Sequence, residues 1–251
     1  MCKKESKLYN LARWAACHIP GFRAVVTLAI RAVWKAWGSY QLHRVYRRAL
    51  RRGEIIRLHI GAGDKILPGW LNTDIMPPAP LYLNATRHFT LDDNSVKYIF
   101  NENFIEHISL SDAMTFLKES FRVLSWGGVI RIATPDLEAY TKEYLSRSSK
   151  AYLLLERNRQ IGYEYGPTLA AIIDKIFFTD SHCYIYDFET LEYMLRHAGF
   201  TFVTRCEIRK SLNPELCDLE QHDIGSVHDK YFTLVVEAKK EVNQAAKAEM
   251  S

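Results

Sequence analysis

Cysteine is sparse and has no obvious partner in this chain of 251 residues. There are five (Cys2, Cys17, Cys183, Cys206 and Cys217), with no C-x-x-C spacing. An odd count without that spacing argues against a disulfide framework and against a cysteine zinc site, and it fits a reducing, cytoplasmic compartment. Long apolar runs are also missing. In the most apolar segment, Gly21–Gly38, the longest uncharged run is Ala24–Ile30. That is far short of the roughly 20 residues a membrane-spanning helix needs. A secretory signal is not expected, because the apolar stretch starts late and is broken by charge. No internal repeat or low-complexity stretch is present.

Acid is almost absent from one end. Residues 1–53 hold 12 Lys+Arg against the single acid Glu5, whereas the other 198 residues hold 21 Lys+Arg and 28 Asp+Glu. A basic arm therefore precedes an acidic body, a layout that suggests a negatively charged partner. In Gly21–Gly38 the polar residues Arg23, Thr27, Arg31 and Lys35 recur every four positions, one narrow stripe on a helix. A wide apolar face beside a basic stripe suits a helix lying on an anionic membrane surface, with Trp34 and Trp37 at headgroup depth. Packing on the body or against a second copy is the alternative. Nucleic acid ranks last, because the body is acidic and carries no recognition motif.

Hydrophobic residues make up 48% of the chain, enough for one sizeable core, and from Glu54 the pattern alternates. Ile55–Ile60 reads as a buried strand entering the turn Gly61-Ala62-Gly63. Further strands are expected at Trp70–Ile75, Leu81–Asn84, Val96–Phe100, Val129–Ala133, Thr201–Ile208 and Tyr231–Glu237. Ser109 or Ser111 caps a helix whose Met114, Leu117, Phe121 and Leu124 face the sheet, and Gly127-Gly128 should stop it. Asp187 caps Phe188–His197, and Gly199 ends it. The expectation is an α/β fold: a mainly parallel sheet with helices on both faces over residues 54–240. The helical arm 1–53 precedes it and a flexible tail, 241–251, follows it. Within that domain, Leu145–Thr179 is an insertion, serving as an acceptor pocket or as a helical cover.

Ligands bind such sheets outside the carboxyl ends of the strands, near the reversal in strand order. Gly61-Ala62-Gly63, Asp74, Asn84 and Asn101–His107 all fall there. Glycines let a ligand approach the backbone, and an acid after the second strand accepts ribose hydroxyl hydrogen bonds. A dinucleotide site expects a third glycine where Ile66 stands, and an acid about 20 residues on. Asp74 comes only 11 residues after Gly63.

Three blocks carry a resemblance: RLHIGAGDKILPGWLNTDI (Arg57–Ile75), LDDNSVKYIFNENFIEHIS (Leu91–Ser109) and FLKESFRVLSWGGVIRIATPDL (Phe116–Leu137). Together with His182–Phe200 and the closing YFTLVVEAKK, they resemble a bacterial family of class I S-adenosylmethionine (SAM)-dependent methyltransferases, many linked to cell-surface polysaccharide genes. The resemblance implies a Rossmann-like, seven-stranded sheet with its last strand antiparallel. It implies that His59, Gly61, Ala62 and Gly63 line the methionine and ribose of SAM, and that Asp74 and Ile75 hold the ribose. Asn84 approaches the adenine, and Asn101, Glu102 and Asn103 border the methyl group. The implied acceptor is a saccharide or lipid-linked glycan hydroxyl.

The sequence departs from the wider class at His59, where an acid is common, at Asn84, where Asp is usual, and at Asn103, where His is common. These departures motivate an alternative, a non-catalytic member of the fold that binds a nucleotide or partner. A third reading is a membrane tether with a passive body. A hydroxyl acceptor needs a base, for which His107 and His182 are the candidates, with His222 behind them. No metal is expected, because the sequence shows too few converging ligands and the adjacent His182 and Cys183 should point apart.

Overall fold

In the computed structural model the described residues are 22–149, 152–153, 155–156, 168–179, 181–222 and 231–241. The start of the basic arm (residues 1–21), most of the expected insertion, including Arg157, Arg159, Tyr163 and Tyr165, and nearly all of the tail lie outside them. Seven strands form one sheet: β1 (Arg57–Ile60), β2 (Leu71–Asp74), β3 (Leu81–Tyr82), β4 (Val96–Glu102), β5 (Leu124–Pro135), β6 (Phe202–Cys206) and β7 (Thr233–Lys239). The order is β3-β2-β1-β4-β5-β7-β6. β7, last in sequence, runs antiparallel to both of its neighbours. The order reverses between β1 and β4, the position at which such sheets open a crevice.

Among the described residues, the helices around the sheet include α1 (Phe22–Arg51), α2 (Leu110–Val123), α3 (Leu137–Ser146), α4 (Ala170–Asp174) and α5 (Phe188–Ala198). Ser109 caps α2 by accepting the Asp112 N–H, and Asp187 caps α5 by accepting the Thr190 N–H. Their buried residues recur at helical spacing: Ala113, Phe116, Leu117 and Ser120 in α2, Leu191, Met194, Leu195 and Ala198 in α5. They join Leu58, Ile60, Ile99, Ile130 and Ile132 in the main core.

Gly127-Gly128 does not end the helix as expected. The chain is already extended from Leu124, which pairs with Val96, and both glycines lie inside β5. Gly127 takes φ +71°, so the bend the helix stop was meant to supply falls within the strand.

The other face of the sheet carries a transverse row set by the register: Asn72, His59, Phe100, Arg131, Glu237 and Thr204. Arg131 is fully buried there. Its Nε donates to Glu220 Oε1 at 2.6 Å and its Nη1 to Glu237 Oε1 at 2.6 Å. The guanidinium also donates to the Lys210 and Glu207 carbonyls. This one side chain holds the 207–220 loop over a face where Leu67, Phe100, Val129, Leu216 and Leu219 form a smaller core.

The arm's helix lies against the sheet edge. A Cβ on Gly38 would stand 2.6 Å from Tyr82 Cβ, so α1 touches β3 at that point. Leu42 and Tyr46 belong to the main core, and the Tyr46 hydroxyl accepts the Asp92 N–H at 2.9 Å. Further toward its start, Leu28, Val33, Trp37 and Tyr40 are exposed. Among the described residues no helix is long and apolar enough to cross a membrane.

Candidate functional site

At the carboxyl end of β2, Asp74 turns toward the loop that follows β1. Its Oδ2 accepts the Gly63 N–H at 3.1 Å and its Oδ1 accepts the Met76 N–H at 3.0 Å. A carboxylate has about four acceptor positions, so each oxygen keeps one for a further donor. Gly63 has φ +52°, and the place of its missing Cβ is open, with nothing within 4 Å. Gly61 differs. Its φ is +69°, and a Cβ there would meet the Phe104 ring at 2.7 Å. The first glycine thus admits an aromatic ring, and the second leaves free space beside the acid. Ala62, buried between them, donates its N–H to the Thr73 carbonyl at 3.0 Å and ties the loop to β2.

Several predicted residues do not reach that space. His59 is buried on the loop-covered face, and its Nδ1 donates to Asn72 Oδ1 at 3.0 Å. Asn72 also accepts the Leu67 N–H and donates to the Leu67 and Trp70 carbonyls. The pair closes the β1–β2 loop, which is a structural duty, and burial holds the His59 imidazole down at about 4. Glu102 accepts the Gln221 and His222 amides at 2.9 and 3.0 Å, one on each oxygen, so it anchors the late loop. Burial nevertheless pushes its carboxyl above the usual range. Asn101 is fully buried on the helical face, beneath the surface. Ile75 is exposed at the strand end. Asn84 remains near the third strand's end, its Oδ1 accepting the Thr86 N–H and hydroxyl. Asn103 takes a left-handed φ of +48° and donates its N–H to the Ala133 carbonyl, turning the chain out of β4.

That turn leads into a short 3-10 helix, Ile105–His107, and a second centre. The His107 and His182 rings meet edge to face with centroids 4.8 Å apart. Glu106 joins them, and the ligand-type atoms of the three lie within 4.8 Å of one another. The Glu106 carbonyl accepts the Cys183 N–H at 2.7 Å, which brings the 181–184 segment to the end of β4. Glu106 is completely buried. Its Oε2 accepts the Thr134 hydroxyl at 3.0 Å, and its Oε1 has no partner. Burial, offset only in part by the residue's own backbone N–H and the Thr134 hydroxyl, pushes the carboxyl up to about 8. The Tyr186 hydroxyl is also buried without a partner, as are both amide atoms of Asn101. Burial raises the Tyr186 phenol as well, and nearby Glu106 adds to the shift. Unpartnered buried polar atoms are costly, and each calls for an explanation such as a bound water, an ion or a catalytic role.

No family model matches the chain, and no curated protein does. Solved structures similar to it include a SAM-dependent methyltransferase from Thermotoga maritima, at 18% identity over 88% of this chain and 98% of that one, TM-score 0.45. Another, from Archaeoglobus fulgidus, has 16% identity over 79% and 94%, TM-score 0.42. A third, from Methanosarcina mazei, has 17% identity over 74% and 92%, TM-score 0.44.

The two expected catalytic histidines are thus neighbours, although 75 positions separate them. His222 donates its backbone N–H to Glu102. Sequence reasoning placed Phe104 and Glu106 within the strand-end stretch Asn101–His107 without giving either a role, and it passed over Thr134 and Tyr186. An acid before His107 was visible, but its burial was not.

Proposed function

We propose that this chain is a class I methyltransferase that uses SAM. The observation carrying the proposal is the Asp74 carboxylate, held by the Gly63 and Met76 amides beside open backbone at the strand-order reversal. Asp74 would take the ribose hydroxyls, Gly63 would border the adenosyl group and Asn84 the adenine edge. The residues fit such a group: free acceptor positions face a glycine with no side chain, while Phe104 closes the neighbouring position. Bound there, SAM supplies an activated methyl group, and the chain's main contributions are alignment and exclusion of water.

A hydroxyl acceptor must lose a proton. Glu106, His107 and His182 lie two to three residues past Phe104 or converge on that turn, which supports them as the group that takes it. A saccharide or lipid-linked glycan as acceptor rests on the resemblance of the sequence blocks alone. Calorimetric titration with SAM tests the reading. Saturable binding that weakens in Asp74→Ala is the expected result, and absence of heat at millimolar SAM overturns it.

A second reading, a non-catalytic member of the fold, is favoured by the Phe104 ring lying on Gly61 and by the engagement of Glu102 in a loop. It predicts SAM binding without turnover, or no SAM binding. In either reading α1 is the membrane-facing element. Its exposed Leu28, Val33, Trp37 and Tyr40 accompany a basic groove of about 520 Å³ lined by Tyr40, His43, Arg44, Arg47, Leu50 and Arg51. That combination suits an anionic lipid surface. Co-sedimentation with anionic vesicles, with and without residues 1–37, tests it. Equal pelleting of both forms removes the membrane role.

A further inference from the structure

We propose that Glu106, His107 and His182 bind a divalent transition-metal cation. Two imidazoles and one carboxylate are a ligand set used for zinc and for related first-row ions, and three protein ligands leave a position open. Magnesium and calcium prefer oxygen ligands throughout. The three side chains come from the turn after β4 and from the segment before α5, and the Glu106 carbonyl joins these through the Cys183 amide.

Two features beyond proximity point to a cation. The first is Glu106 itself. It is wholly buried, one oxygen is satisfied by Thr134, and the other has no partner. A buried carboxylate in that state calls for either a proton or a positive charge. The second is the tautomer of His182. Its Nδ1 lies 2.5 Å from the Ile176 carbonyl. A carbonyl only accepts, so Nδ1 carries the hydrogen, and in the neutral ring the lone pair then lies on Nε2. This is the arrangement in which metal-binding histidines are oriented by a backbone carbonyl. Ile176 lies in a π-helical stretch, Lys175–Thr179, a geometry frequent at functional sites.

The spacing needs one adjustment. Ligand atoms about 2.0–2.2 Å from a shared ion stand roughly 3.5 Å from each other, so the present separation of up to 4.8 Å must close by about an ångström. His107 is exposed at the end of a short 3-10 turn, and a rotation of its side chain on the solvent side supplies that movement. The burial gradient, from Glu106 through His182 to His107, leaves an entry from solvent.

The site departs from the expectation of no metal, which rested on too few converging ligands in the sequence and on adjacent His182 and Cys183 pointing apart. Any role in turnover rests on the methyltransferase reading. An acceptor hydroxyl at the open position would give up its proton to solvent more readily, and both imidazoles would then be ligands and not bases.

The test is a titration of the metal-stripped full chain with Co2+, followed by the visible absorption of the bound ion. The expected result is saturation at one equivalent, with affinity falling more than roughly tenfold in His107→Ala and in His182→Ala. Glu106→Gln should do the same if it folds, and the two surface-accessible histidine variants keep the test decisive if it does not. Lack of saturable binding at millimolar Co2+, or unchanged binding in the double histidine variant, overturns the site. SAM titration of the same samples separates the two proposals. SAM binding without Co2+ binding removes the cation alone, whereas Co2+ binding without SAM binding supports the site and removes the methyltransferase.

Discussion

Gly63 and Asp74 face each other across the opening loop, the glycine's N–H donating to the acid's Oδ2 at 3.1 Å. The contact presets the direction of the carboxylate before any ligand arrives. Asp74→Ala should therefore weaken SAM binding by roughly 1–3 kcal/mol, the cost of stranding polar partners. Asp74→Asn keeps one acceptor and should fall between. Calorimetry on folded variants checks both, and unchanged affinity in Asp74→Ala refutes the ribose role.

Stability should decline in mild acid because of His59. Its imidazole sits at about 4 when folded, against an ordinary value of 6.5. Above 6.5 both folded and unfolded chains hold it neutral, and its environment costs nothing. Between 6.5 and 4 the unfolded chain takes up a proton that the folded one refuses. The loss grows toward roughly 3 kcal/mol and levels off below 4. Urea unfolding across this window should show the slope, reduced in His59→Leu. A parallel decline in both proteins would assign it to other groups.

Arg131 is expected to be among the least replaceable residues. Arg131→Met leaves Glu220 and Glu237 facing each other without their cation, and should cost roughly 3–5 kcal/mol. Adding Glu220→Gln should recover part of that loss, since it removes one stranded charge. Thermal unfolding of the single and double variants provides the comparison.

Gly38 distinguishes a docked helix from a free one. On a solvated helix, glycine to alanine stabilises by up to about 1 kcal/mol. Here the new Cβ would meet Tyr82 at 2.6 Å, so Gly38→Ala should destabilise, by about 1–3 kcal/mol for overpacking. It should also speed proteolysis within α1. A gain in stability would show that α1 does not rest on β3.

Much of the architecture was legible in residue order. Alternation of β-branched runs with helical spacing located the strands, and Ser109, Asp187 and Gly199 marked helix ends, because these signals act within a few residues. Local reasoning failed at Gly127-Gly128, where pairing of Leu124 with Val96 outweighed a break signal. Nor does any local pattern announce that a loop more than 100 residues later engages the Glu102 carboxylate.

By itself, the sequence determined the seven-stranded plan, the glycine turn beside an acid and the basic character of the arm, since each depends on neighbouring residues and on composition. Only the tertiary structure decided which face each side chain serves. It sent His59 into the interior and gathered Glu106, His107 and His182 at one strand end. It also placed part of the arm in the core through Leu42 and Tyr46. The reason is that burial and long-range pairing depend on sheet register and strand order, and two residues far apart in the chain carry no mark of their meeting until the sheet brings them together.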